Sequence, residues 1–482
     1  MKKYIIMGLA LFAFSACQDL SELNKDIKNP ESVPAGTLFA NATVTLFDFM
    51  TDCNVNVNNF RLWAQQWAQT TYADESNYEL IERNVNGRAW NTLYAEVIRD
   101  LRDAKRFIGE NDLLSASAKD NQLAIAEVLE IYATHVLVDI FGDVPYTEAF
   151  GDDVTPAYDD DAAIYSDLIS RLDAAIAKLG GDSGLGSYDL VYGGDADMWK
   201  KFANSLKLRM AIRIADSNEA KARTMVTEAV ASGVFIDNSE NFQLTYESAT
   251  PNTNPLWESL IQSGRSDYVV ASTLVDPMQE MADPRVNAYF KDPRPVTDTT
   301  TGQTVYVFVG GVYGDNNNFN AHSHPGEMQE DPTFPGIILS YWEVAFLLAD
   351  ASERGFATGG TAESFYNAGI QASILYWGGS QTDVDTYLAN PAVSYGTAAG
   401  TWKQKIALQK LISLYDQGFE AWSSYRLYDY PEFPIAVQAG IPTPTRYIYP
   451  VTEASLNGEN KTNASNAIGG DKLDTKVFWD VN

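Results

Sequence analysis

KDNQLAIAEVLEIYATHVLVDIFGDVPY, residues 119–146, is the stretch from which the fold can be read. Leu123, Ala126, Val128, Leu129, Tyr132 and Val136 recur at helical spacing. They predict a helix over 119–141 with a broad apolar stripe turned to a core. Gly142 and Pro145 then stop it, because glycine accepts a left-handed C-cap and proline cannot continue a helix. The same periodicity spreads outward. Trp90, Leu93, Tyr94, Val97, Leu101, Ala104 and Ile108 mark a helix near 86–108, and Ile164, Leu168, Leu172, Ile176 and Leu179 mark one near 160–179. Trp199, Phe202, Leu206, Met210 and Ile214 mark a third near 196–215, with Asp195 or Asp197 as its cap. Further helices fit 35–50, 58–70, 217–231, 271–282, 338–356, 361–377, 401–416 and 418–427. Short linkers join many of them into stacked αα-hairpins, although no tetratricopeptide consensus repeats at a fixed period.

Between the helices lie long irregular stretches, 233–270 and 284–337, rich in Asn, Asp, Pro, Gly and Tyr. Phe242–Tyr246 and Val305–Val309 are short strand-like runs inside them. The tail, 429–482, is similarly irregular. The fold expected is mainly α, with a few short β-hairpins and a single helical domain over 35–482 that carries loop insertions at about 233–337.

Composition narrows the function. The 482 residues hold 64 acidic and 34 basic side chains, a formal net charge of −30. Such a chain repels phosphate backbones and anionic lipid, so nucleic-acid binding is not expected. Two cysteines and three histidines (His135, His322, His324) leave little for a disulfide scaffold or a zinc site. P-loop, nucleophile-elbow and HExxH motifs are missing. A two-carboxylate hydrolase site stays open as an alternative, because its residues need not be close in sequence. Aromatic residues are plentiful at 12%.

The N-terminus reads as a secretory signal: Lys2 and Lys3, an apolar run Tyr4–Phe14, then Ser15 and Ala16 before Cys17. The run falls short of the roughly 20 residues needed to span a bilayer. Residues 1–16 are expected to be a signal peptide, Cys17 the lipidated residue, and 17–34 a tether. Phe14 stands where a bacterial lipobox usually has leucine.

Several blocks, taken in order, resemble one family. LNKDIKNPESVP (23–34) resembles the opening of the mature SusD/RagB-like lipoproteins of Bacteroidota. IYATHVLVDIFGDVPYTEAF (131–150) is similar to their helix and G-D-V-P-Y segment, and 158–179 to the helix that follows. DPRVNAYF (283–290), YWEVAFLLADASERG (341–355) and QGFEAWSSYRLYDYPEFP (417–434) fit the later blocks. The resemblance implies a tetratricopeptide-like helical scaffold with loop-built binding surfaces. It further implies a non-enzymatic lipoprotein on the outer membrane, facing the exterior. Such a protein would capture oligosaccharides or oligopeptides for a partner SusC-like TonB-dependent barrel. A surface glycoside hydrolase and a structural subunit without ligand affinity are the alternatives.

Loop aromatics are the candidates for ligand contact, because a ring face stacks on a sugar while flanking polar groups bond its hydroxyls. Tyr72, Trp257, Arg265, Tyr268 and Tyr313 are chosen on this basis. Glu420 and Arg426 are expected to form a buried ion pair beside Trp422, and His322 and His324 a solvated pair. Asp152–Asp153 and Asp159–Asp161 are expected to cap a helix, with a bound calcium ion as the alternative. Asp315–Asn320 starts like a calcium loop but has Asn320 and Gly326 where an EF-hand has Gly and Glu. No other cofactor is expected.

Overall fold

A computed structural model describes residues 33–181 and 184–481. Cys17, the signal segment and most of the tether lie outside the described residues.

The helix expected over 119–141 runs Ala116–Phe141. Ser115 caps it by accepting the Ala118 amide at 3.1 Å, and Gly142 ends it at φ 76° and ψ −127°. That conformation is open to glycine rather than the left-handed helical one. Helices then pack on the next helix in the chain: Ala116–Phe141 on Asp161–Lys178, Ala196–Arg213 on Glu219–Ser232, Tyr341–Glu353 on Ala362–Tyr376, and Trp402–Ser413 on Gly418–Tyr428. Each presents its apolar stripe to a neighbour, which is how paired helices share one core. Ala35–Thr51 lies against Arg99–Glu110. The helix that begins at Val85 widens to π-helical geometry over Thr92–Ile98 before it continues as Arg99–Glu110. Side-chain caps fix the starts. Asp195 accepts from Asp197 and Met198, and Thr361, Ser380 and Thr401 form capping boxes.

Strands are short. Among the described residues they form five two-stranded antiparallel ribbons. Phe242–Leu244 pairs with Gly336–Leu339, and Arg294–Thr297 with Thr304–Val307. Trp67–Gln69 pairs with Tyr268–Val270 in the register Trp67–Val270, Ala68–Val269, Gln69–Tyr268.

That last ribbon corrects the helix expected over 58–70. Only Phe60–Trp63 is helical. Gln65 takes φ 49°, turning the chain out of the helix, and Trp67–Gln69 becomes a strand because it finds a partner 200 residues on. Periodicity within one segment carries no trace of that partner. The helices Gln381–Leu388 and Gly458–Ala467, which the periodicity did not mark, are short and have few apolar positions.

The core is aromatic and, unusually for a core, charged. Phe202 stacks on Phe242 with ring centres 3.9 Å apart, and Trp199 meets both edge-on. Trp63, Trp422, Phe60 and Tyr447 form a second cluster. Between helices lies a buried ion network: Arg209 with Glu343 at 2.7 Å, Arg213 with Glu420 at 2.5 Å, and Lys410 with Glu420 at 3.0 Å. The expected Glu420–Arg426 pair is therefore corrected. Glu420 points to the neighbouring helices, where three cations converge. Arg426 instead lies 3.8 Å over the Trp422 ring and donates to the carbonyls of Asp139 and Thr445.

Candidate functional site

The ribbon Trp67–Gln69/Tyr268–Val270 positions the candidate site. Beyond Gln69 the chain turns sharply, with Tyr72 at φ 58° and Tyr78 at φ 72°. The turn is held from within. Gln69 Oε1 accepts the Ser76 amide at 2.9 Å and its hydroxyl at 2.7 Å, while Gln69 Nε2 donates to Glu75 Oε2 at 2.7 Å. Asn77 Nδ2 donates to the Gly314 carbonyl at 2.9 Å, and Asn317 donates to the Gln69 carbonyl. Loop 70–78 is thus fastened to the long insertion, and the bonds that fasten it leave Tyr72 62% exposed.

A cavity of about 190 Å³ opens beside this turn, lined by Tyr72, Tyr268, Arg83, Arg265, Asp267, Glu75 and the polar residues Asn54, Asn56, Ser259 and Ser263. Arg83 Nε donates to the buried Glu75. Arg265 Nε and Nη2 donate to the two carboxylate oxygens of Asp267 at 2.5 and 3.1 Å. Behind the rim, burial pushes the Asp52 carboxyl up to about 7 and Asp48 to about 6. An exposed ring beside a polar, hydrogen-bonding wall is the arrangement that takes a hydroxylated ligand.

Of the five candidate residues, Tyr72, Arg265 and Tyr268 come together here. Tyr268 is not the exposed platform expected: it is 5% exposed, and its hydroxyl donates to the Cys53 carbonyl at 2.5 Å. Tyr313 is corrected outright. It is 1% exposed and packs against Tyr78, and burial holds its hydroxyl well above the usual tyrosine value. The insertion folds back over the helices, so a tyrosine in a polar stretch became core. Trp257 lies in the helical turn Pro255–Trp257, which runs on as a π-helix over Glu258–Gln262; it is half-buried and does not line the cavity. Arg83, Glu75 and Asp267 were missed. Asp267 had a signal: it stands two residues after Arg265 in an extended segment, where i and i+2 share a face. Arg83 and Glu75 meet only because loop 70–84 doubles back.

A wider groove of about 550 Å³ is lined by Asp276, Glu280, Glu432, Met281 and Tyr430. Burial and Glu280 raise Asp276. Tyr430 is its single aromatic residue, and none of the candidate residues reaches it.

Asp143, Asp160 and Asp161 bring carboxylate oxygens within 4.8 Å of one another, the grouping best suited to a cation among the described residues. Each already accepts a backbone amide: Asp143 from Asp161, Asp160 from Ala163, and Asp161 from Phe478. Burial pushes Asp161 up to about 7. These bonds make the trio a helix start tied to the C-terminal tail. His324 departs from the solvated pair expected. It is buried, stacked 3.8 Å from Phe319, and its ring nitrogens face Asp292 Oδ2 at 2.6 Å and the Phe319 carbonyl at 2.9 Å.

The model of the SusD-like family described as "starch-binding associating with outer membrane" matches residues 27–450. A solved chitin-binding protein is 28% identical over 93% of this chain and 100% of its own, with a TM-score of 0.79. A chitin-binding SusD homologue from Flavobacterium johnsoniae is 26% identical over 93% of this chain and 99% of its own, TM-score 0.77. A SusD homologue from Bacteroides uniformis is also 26% identical, over 94% and 100%, TM-score 0.77. A search of curated proteins finds no match.

Proposed function

The chain belongs to the SusD-like family, and from that membership we propose that it captures oligosaccharides at the outer membrane, with the Tyr72 cavity as its sugar site. The observation that carries this reading is Tyr72 itself. A large aromatic side chain is held 62% exposed by an internally bonded turn, beside donors and acceptors on the cavity wall. Leaving such a ring in water has a cost that a stacked sugar removes. Chitin oligosaccharides are the first ligand to try, because two of the solved relatives are described as chitin-binding.

Capture without cleavage fits the same wall. The acidic side chains on the cavity, Glu75 and Asp267, are both engaged by arginines. Neither stands free to protonate a glycosidic oxygen or to activate water.

Delivery completes the proposal. Among the described residues no helix is long and apolar enough to cross a membrane. Lipidation at Cys17 would hold the protein on the outer membrane facing outward, and a SusC-like TonB-dependent barrel would carry the sugar across. Calorimetric titration with chitin oligosaccharides should give binding that Tyr72→Ala weakens, and no shorter products on prolonged incubation. Affinity-tagged protein from detergent-solubilised native membranes should bring down an outer-membrane barrel. Recovery of the protein alone at low salt would refute the transporter partnership.

A further inference from the structure

We propose that the Tyr72 cavity selects uncharged glycans and excludes acidic and de-N-acetylated, cationic ones. The inference rests on the reading of the cavity as a sugar site and names the class of sugar. The charged groups on the cavity are Glu75, Arg83, Arg265 and Asp267, two of each sign. They are matched pairwise, Arg83 to Glu75 and Arg265 to Asp267. Glu75 is 1% exposed and also bound by Gln69, so its pair is built into the turn.

An acidic sugar that accepts from the free N–H groups of these arginines meets guanidinium charges already cancelled by Glu75 and Asp267, with those carboxylates beside it. A full ion pair is gained only by drawing an arginine away, which leaves its carboxylate uncompensated. The acidic sugar also meets a body of net charge −30, whose field opposes its approach. A cationic amino sugar is favoured by that field. Inside the cavity, however, both carboxylates are already taken, and displacing an arginine leaves that cation unpaired. A neutral sugar disturbs neither pair. Arg83 is bonded through Nε alone and Arg265 through Nε and Nη2, so guanidinium N–H groups remain to donate to hydroxyl or acetamide oxygens. The arginines here act as multidentate donors whose charge has been cancelled.

The test is calorimetric titration of the purified protein with a panel of equal-length oligosaccharides. The neutral arm is chitin, cellulose, starch and xylan oligomers. The charged arms are fully de-N-acetylated chitosan oligomers and oligogalacturonate. At least one neutral oligomer should bind about tenfold or more tighter than either charged one. Its affinity should change little between about 50 and 300 mM salt. Asp267→Asn, at a half-buried position, uncovers Arg265 and should raise oligogalacturonate affinity about tenfold, in a salt-dependent way. Arg265→Gln uncovers Asp267 and should do the same for chitosan. Wild-type binding of a charged oligomer as tight as the best neutral one would overturn the inference and leave glycan capture standing. So would unchanged selectivity in both variants. Absence of binding to every oligomer would overturn the capture reading, and this inference with it.

Discussion

Tyr72 and Tyr313 sit in similar polar loop sequence, yet one is 62% exposed and the other 1%. Their substitutions should separate function from stability. Tyr72→Ala should weaken glycan binding by about 1–3 kcal/mol, with the melting temperature unchanged. Tyr313→Ala should cost about 3 kcal/mol of stability, because it empties a buried ring site against Tyr78. Unfolding of the Tyr72 variant, or loss of binding alone in the Tyr313 variant, would reverse these assignments. Asp52 supplies a pH dependence. Burial raises its carboxyl to about 7, so the folded protein holds this proton more tightly than the unfolded chain does. Stability from this group is full below the ordinary carboxylate value and lost as pH rises through about 7. Asp52→Asn should therefore stabilise the protein by up to about 4 kcal/mol at pH 8 and have almost no effect at pH 4. His135 works in the opposite sense. Burial lowers it to about 4, so its contribution is present above the ordinary histidine value and lost as pH falls through about 4. Melting curves of wild type and Asp52→Asn across this range check the sign.

At the scale of elements, the helix Ala116–Phe141 shows how far local pattern reaches. Its body and the identity of its stop were legible in the sequence, since the stripe and Gly142 are both local signals. Gly142→Ala should cost about 1–3 kcal/mol, because φ 76° with ψ −127° is open essentially to glycine. A melting temperature equal to wild type would refute this. Gly418 is used differently. A Cβ there would lie 2.7 Å from the Arg61 backbone nitrogen, so the glycine lets helix Gly418–Tyr428 close on Phe60–Trp63. The segment 58–70 marks where local pattern fails. Its apolar residues suit a helix, yet only Phe60–Trp63 is one, and Trp67–Gln69 is a strand partnered by Tyr268–Val270 that places Tyr72 at the cavity.

Across the whole molecule, the buried charges join elements far apart in the chain. Arg209 and Arg213 come from one helix, Glu343 from a second, Lys410 from a third and Glu420 from a fourth. Glu420→Ala would leave Arg213 and Lys410 buried without their carboxylate, and should cost about 3–5 kcal/mol in chemical denaturation. A cost below about 1 kcal/mol would show that neighbouring carboxylates, Asp139 and Glu343, can compensate. The tail is tied in the same long-range way. Arg446 donates to the Phe141 carbonyl and Tyr449 to that of Asp143, which seals the end of the helix with which the sequence was first read.

The sequence by itself determined most of the long helices and the pairing of many of them, because apolar period and short linkers are encoded within a few turns of chain. It also carried the family, through blocks that keep their order along the chain. It named Tyr72 and Arg265 from loop position and chemistry. Only the tertiary structure decided which loop aromatics face water. That depends on how residues 233–337 fold back on the scaffold, and it buried Tyr268 and Tyr313 while leaving Tyr72 out. The same folding brought Arg83 to Glu75 and aligned Gln69 with Tyr268, contacts whose partners lie on separate turns or some 200 residues apart. Charge cancellation in the cavity is therefore a property of the folded loops, because a residue's type fixes its charge and only its neighbours fix whether that charge is free.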